Sequence, residues 1–260
     1  MRIVRFSASN LIKYGTIENE TVFSYCGNPF SGAGNRMIPF EPDGKKYSVD
    51  EVRLLTPCFP SKIVCLGLNY RSHAEELKME IPPVPLLFLK PSTAVIGPGD
   101  NIILPRYYKR VEYEGELGVV IGKLAKDIKN DKITEYVLGY TCFNDVTERQ
   151  IQKDDGQWTR AKGFDTFAPA GPCIQTSADP GNLKLETYLN GVLCQSIHTS
   201  DLIFNVPDLI SFISSVMTLL PGDIVATGTP SGIGPMKPGD LVEVKISSIG
   251  TLRNFVVEYS

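Results

Sequence analysis

The chain has 260 residues, of which 42% are hydrophobic and 21% charged; that is enough apolar content for a sizeable core, in one large β-rich domain with or without a small appendage. Its net charge of -3 gives no electrostatic footing for nucleic acid or an anionic membrane surface as partner. The six cysteines stand singly, with no C-x-x-C pair, which argues against a zinc cluster or a disulfide framework and for reduced, mostly buried thiols.

The N-terminal stretch MRIVRFSASNLIKYG lacks an apolar h-region, so no signal peptide and a cytoplasmic location are expected. Residues 1–58 alternate short β-like runs, such as Arg2–Phe6, with turn-rich segments, such as Phe30 to Asn35. They are expected to form a small N-terminal β-rich domain ahead of a catalytic domain over 59–260. Ile63–Leu66 then reads as a buried strand. In the following Asn69–Leu77 segment, Ser72 and Glu75 form the S-x-x-E pattern of a capping box. That reading starts a helix with His73 at its first position and Glu76 within reach three residues on, leaving the pair free for acid–base work. The competing role for His73 is an ordinary surface histidine. Pro82-Pro83-Val84-Pro85 is expected to end the helix and to form one side of a lid.

Val111–Gly118 places glutamates at every second position, Glu112, Glu114 and Glu116, with no basic residue between them. On a strand these point to one side at roughly 6.8 Å spacing. Two readings stand: an acidic, aggregation-resistant edge, or a site for a hard divalent cation at the point where the strand enters the core as Leu117–Ile121. A further strand is expected over Tyr136 to Phe143. Asp145 follows it, as a helix cap or as another oxygen ligand, and Arg149 lies one helical turn beyond. Lys162 is expected in a loop within Arg160–Thr166.

The apolar stretch Leu202–Leu220 is broken by Asn205, Pro207 and Asp208 and cannot span a membrane. Its Leu209, Ile213, Val216 and Leu220 recur at helical spacing behind Pro207, so it reads as a core-facing helix. Ile224–Ala226 reads as a buried strand and Leu241–Ile246 as a half-exposed one. Between them the Pro221–Gly234 loop, rich in glycine and hydroxyls, suits a carboxylate or carbonyl ligand. It is not a phosphate-binding loop, and the chain has neither a G-x-G-x-x-G nor a G-x-S-x-G motif. With only two histidines, a three-histidine metal site is excluded.

Seven blocks in order resemble the catalytic domain of the fumarylacetoacetate hydrolase family over about Ser61 to Val257. They are Gly67-Leu68-Asn69-Tyr70 with His73, Phe88-Leu89-Lys90-Pro91, Tyr113–Leu117, Asn144–Arg149, Lys162–Thr166, Thr199-Ser200-Asp201 and the Pro221–Gly234 loop. The resemblance implies an α+β, predominantly β fold: a mixed β-sheet roll with a few short helices, assembled as a homodimer. It also implies Mg²⁺ or Mn²⁺ held by Glu114, Glu116 and Asp145, with Glu112 only flanking them. Lys162 corresponds to the family's active-site lysine, and Arg149, Gln152 and Thr229 to substrate-binding positions. His73 and Glu76 correspond to a His–Glu pair on a lid helix.

The implied substrate is a small 2-oxo or enolised 2-hydroxy acid. The implied reaction is C–C bond cleavage through a metal-stabilised enolate, by acylpyruvate hydrolysis or oxaloacetate decarboxylation. A hydroxymuconate-type isomerase would use the same enolate. The rival from another class is a non-catalytic metal- or ligand-binding domain on the same scaffold.

Overall fold

The computed structural model describes residues 1–30 and 39–259. The turn-rich segment expected over Phe30 to Asn35 therefore lies, beyond Phe30, outside the described residues.

Leu117–Ile121 decides the architecture. An apolar run without alternation has to be covered on both faces, and Gly115–Ile121 is a strand buried along its whole length. It pairs antiparallel with Val137–Asn144 on one side and with Ile224–Ala226 on the other. These strands are central to a twelve-stranded mixed sheet, in which Ile224–Ala226 continues in parallel to Ile63–Leu66. Leu117, Val119 and Ile121 point to one face, into a core shared with the five-stranded sheet (Leu185, Val244, Ile246, Leu252) and a helix. Val120 points to the other face, with Ile63, Cys65, Phe143 and Ile224. Each such fully buried side chain contributes about 1.5–3 kcal/mol of transfer free energy. The protein is thus mostly β with few helices, as the resemblance implies.

Among the described residues the α-helices are α1 (Arg71–Leu77), α2 (Arg149–Asp155), α3 (Thr159–Lys162) and α4 (Val206–Val216). α4 is the core-facing helix expected from Leu202–Leu220. Asn205 caps it by accepting from Asp208 N at 3.0 Å, and Leu209 and Ile213 are fully buried. It ends a turn earlier than the spacing suggests. Met217 turns extended, and Leu219 exchanges two backbone hydrogen bonds with Ala125, so a tertiary pairing takes the residues that could have continued the helix. Val216, the last residue of the helix, and Leu220 are exposed.

The N-terminal strands Arg2–Ala8, Leu11–Glu18, Thr21–Cys26 and Glu41–Ser48 are hydrogen-bonded into the same large sheet, through Arg2↔Gln175 and Ile3↔Ile174. All six cysteines are free, and Cys58, Cys65, Cys142 and Cys173 are buried. Among the described residues no helix is long and apolar enough to cross a membrane.

Candidate active site

The Glu112–Glu116 segment does not run as one continuous strand. Val111–Tyr113 belongs to a small three-stranded sheet and Gly115–Ile121 to the large one, with Glu114 at the break. Asn144 fixes that break: its Oδ1 accepts from Glu114 N at 3.0 Å, and Glu114 O accepts from Asp145 N at 2.8 Å. With Gly115 opposite Asn144 in the ladder, Asp145 falls beside the two glutamates. Gly115 has to be glycine, since a Cβ there would lie 2.0 Å from Thr187 Oγ1. Glu114, Glu116 and Asp145 are all buried, and each offers a carboxylate oxygen within 4.8 Å of the others'. Glu112 is not part of this cluster; Arg110 and Arg149 hold it, at 2.5 and 2.7 Å.

Basic residues absent from the glutamate segment arrive from other elements. Lys162 Nζ donates to Glu114 Oε2 and Asp145 Oδ2, both at 2.7 Å, and Arg149 pairs with Glu114. Lys90, fully buried on the strand Leu87–Lys90, donates to the other Asp145 oxygen at 2.5 Å and to Val146 O at 3.0 Å. Lys162 was expected in a loop. It is instead the last residue of the single-turn α3, held by its N–H to Trp158 O at 3.0 Å, and this turns the ammonium inward. Asp145 is not a helix cap, because its oxygens are taken by the two lysines. Glu148 caps α2 and also accepts from Lys109 N and Arg110 N.

The charges are unevenly compensated. Burial raises the Glu114 carboxyl, but Lys162 and Arg149 outweigh it and hold the group below the usual glutamate range. Burial likewise works against charge on Lys162, and Asp145 and Glu114 overcome it, so its ammonium is held above the ordinary lysine value. Glu116 is compensated less. Burial, then the neighbouring Asp145 and Glu114 charges, push it well above its ordinary value; the more weakly acting Lys162 charge and the hydrogen bond from Gly228 N at 2.8 Å oppose this without overcoming it. Gly228 reaches it from a φ of +95°, where an added Cβ would also lie 2.8 Å from Asn69 Cβ. Three buried carboxylates, one of them with no ion pair of its own among the described residues, form an all-oxygen donor set of the kind a hard divalent cation such as Mg²⁺ or Mn²⁺ satisfies.

A cavity of about 280 Å³ opens onto Glu114 and Lys162. α2 contributes Arg149, Gln152 and Lys153 to its wall, and Leu86, Phe88 and Trp158 form an apolar side. A larger hollow of about 470 Å³ around Tyr107 and Arg160 does not reach the carboxylates. Arg149 and Gln152 are bonded to each other at 2.6 Å. Thr229 is buried and outside the cavity lining: its hydroxyl donates to Gly115 O and accepts from Gln195 Nε2. Gln195, on an ordinary-looking strand, also receives Gly115 N at 3.0 Å and so ties the glutamate segment to the glycine-rich loop. Nothing in the sequence around Gln195 singles it out, whereas Lys90 stands within a recognised block.

His73 lines the cavity from α1, 5% exposed, with Nδ1 2.9 Å from Glu76 Oε2. The other Glu76 oxygen accepts from Gly232 N at 2.9 Å. The His73–Glu76 pair therefore forms as the spacing implies, but the expected capping box does not. The N-cap of α1 is Tyr70, which makes no side-chain capping hydrogen bond. Anchoring sets this start: Tyr70 bridges to Leu202, and Asn69 is clamped to Thr227 O and Phe204. Ser72 thus lies inside the helix with a buried, unpartnered hydroxyl, and Lys78 ends the helix at a φ of +53°, ahead of the proline run. Ser72→Ala should accordingly be neutral or stabilising, since it removes an unsatisfied polar group; a loss near 1 kcal/mol in denaturant unfolding would restore the capping role.

Residues 62–257 match the family described as "Fumarylacetoacetate (FAA) hydrolase C-terminal". The chain belongs to the fumarylacetoacetate hydrolase family. Residues 1–57 match a second family, described as "Rv2993c-like, N-terminal". The structure of a 5-carboxymethyl-2-hydroxymuconate delta-isomerase from Mycobacterium smegmatis superposes with a TM-score of 0.91 at 41% identity, covering 100% of both chains. Rattus norvegicus "Oxaloacetate tautomerase Fahd2a, mitochondrial" is 42% identical over 219 residues, 80% of this chain and 70% of that protein. A maleylpyruvate hydrolase from Sphingobium sp. SYK-6, solved with manganese (II) ion and pyruvate, superposes with a TM-score of 0.81 at 29% identity over 100% of both chains.

Proposed function

We propose that this chain is a divalent-metal-dependent enzyme that interconverts the keto and enol forms of a small 2-oxo acid, as a tautomerase or isomerase. The observation that carries this reading is the buried cluster of Glu114, Glu116 and Asp145, of which Glu114 lines a cavity together with the Lys162 ammonium and the His73 imidazole. Glu114, Glu116 and Asp145 would hold Mg²⁺ or Mn²⁺, which would supply Lewis acidity toward a bound 2-oxo acid. Lys162 places a fixed positive charge where negative charge builds on the 2-oxygen. In the tautomer that donates Nδ1–H to Glu76, His73 keeps Nε2 available to accept the C3 proton. The C–H electron pair becomes the C2–C3 double bond, and the carbonyl π pair moves onto the 2-oxygen. That oxygen takes a proton from solvent to give the enol, and the reverse transfers restore the keto form. Phe88 and Trp158 offer the carbon skeleton an apolar wall. The tautomerase and isomerase names among relatives near 40% identity support this choice over hydrolysis.

The second reading, C–C cleavage by acylpyruvate hydrolysis or oxaloacetate decarboxylation, draws on the same enolate, and the His73–Glu76 pair favours it where it orients a water instead. A turnover panel with Mg²⁺ separates the two. Enol–keto conversion of oxaloacetate or a hydroxymuconate should exceed hydrolysis of any acylpyruvate, and the reverse order would establish the second reading. In the same assay His73→Ala should lose about 10²-fold in rate with metal affinity unchanged, because it touches none of the three carboxylates. An unaltered rate would remove His73 from the chemistry.

A further inference from the structure

The cavity wall carries Arg149, Lys153 and Lys162, and their charges are not equivalent. Arg149 is paired with Glu112 and Glu114, and Lys162 with Glu114 and Asp145. Lys153 has no ion-pair or hydrogen-bond partner among the described residues, although it borders both this cavity and a neighbouring hollow that contains Glu76 and Glu112. Glu76 is already committed to His73 and Gly232, and Glu112 to Arg110 and Arg149. On α2, Arg149, Gln152 and Lys153 stand at i, i+3 and i+4 and share one face, about 6 Å apart per turn. Lys153 is thus one turn from the carboxylate-bound Arg149, at the exposed end of the cavity. Between the two ends lies an apolar surface in which the Phe88 and Trp158 rings meet edge-on at 5.2 Å.

We infer that Lys153 reads a second, distal carboxylate, so that the preferred substrates are short-chain 2-oxo diacids rather than 2-oxo monoacids. This rests on the proposed 2-oxo acid reading of the site and adds to it the group that sets selectivity. A diacid lying across the cavity places its 2-oxo acid end at the Glu114–Lys162 side, its carbons against Phe88 and Trp158, and its far carboxylate at the free ammonium. A methyl group there would leave Lys153 no better paired than in water.

The test is calorimetric binding of 2-oxoglutarate and of 2-oxopentanoate, which replaces the distal carboxylate with a methyl, to the Mn²⁺-loaded protein. The wild type should favour 2-oxoglutarate by about fivefold or more, the size of a partly solvated ion pair. Lys153→Met should abolish that preference and leave 2-oxopentanoate binding unchanged, and Lys153→Arg should retain it. An equal preference in Lys153→Met, or none in the wild type, would overturn the assignment. Binding of neither acid to the wild type would overturn the 2-oxo acid reading itself, and this inference with it.

Discussion

Glu116→Gln is expected to lower Mn²⁺ affinity and enol–keto turnover each by about 10³-fold while leaving the metal-free fold intact or more stable. Loss of a partner one shell out already costs about 10–100-fold, and here a charged ligand is lost. The stability gain follows from the sign of the Glu116 shift. Its carboxyl, raised by burial and by Asp145 and Glu114, favours the fold only while protonated. That contribution is present below the ordinary glutamate value of 4.5 and is lost as pH rises through the raised one. Glu114, held low, has the opposite sign, and its contribution disappears as pH falls. Above 4.5 Glu114 is ionised both folded and unfolded, so the falling limb belongs to Glu116. Thermal unfolding of chelator-treated protein should lose stability with rising pH in the wild type and much less in Glu116→Gln. Equal pH slopes, or unchanged metal affinity, would break the link between this carboxylate and the cation.

Lys162→Met should cost about 10³-fold in turnover and about 3 kcal/mol in the stability of the metal-free protein. The rate loss is that of removing a preorganised charge from developing negative charge in a site shielded from water. The stability loss arises because Glu114 and Asp145 stay buried after their shared ammonium is gone, and breaking such a pair costs about 3–5 kcal/mol. The lower end applies because Arg149 and Lys90 still face the two carboxylates. Added Mn²⁺ should therefore recover more stability in Lys162→Met than in the wild type, yet should not restore turnover. Denaturant unfolding with and without Mn²⁺, alongside rates, measures both effects, and a variant with wild-type turnover would exclude Lys162 from the reaction.

What was legible in the sequence follows from what local pattern encodes. Leu117–Ile121, Ile63–Leu66 and Ile224–Ala226 read as buried strands because a fully covered sheet leaves a continuous apolar run, and all three lie side by side in the large sheet. Glu114 and Glu116 were legible because they keep one side under the two-residue period even across the break at Glu114, whereas Glu112 shares that period yet falls outside the cluster, and Asp145 was assigned to it only through the family resemblance. The start of α1 was not. The S-x-x-E pattern at Ser72 offers a local cap, but the anchoring of Asn69 and Tyr70 to Phe204, Thr227 and Leu202 is long-range and outweighs it. For the same reason Lys90 and Gln195 were not singled out as site residues, since each acquires its place from partners more than fifty residues away in the chain. The cations that compensate Glu114 and Asp145 arrive on separate elements, so no reading of the glutamate segment alone foresees them.

The most direct measurement of the central claim is deuterium exchange at C3 of a 2-oxo acid, followed by NMR with Mg²⁺ or Mn²⁺ and again in excess chelator, against a protein-free control. If the Glu114, Glu116 and Asp145 cluster works as proposed, the wild-type protein accelerates exchange with metal, loses that acceleration in chelator and regains it when metal is returned, while Glu116→Gln stays near the control. Acceleration that persists undiminished in chelator, or that Glu116→Gln retains in full, would contradict it.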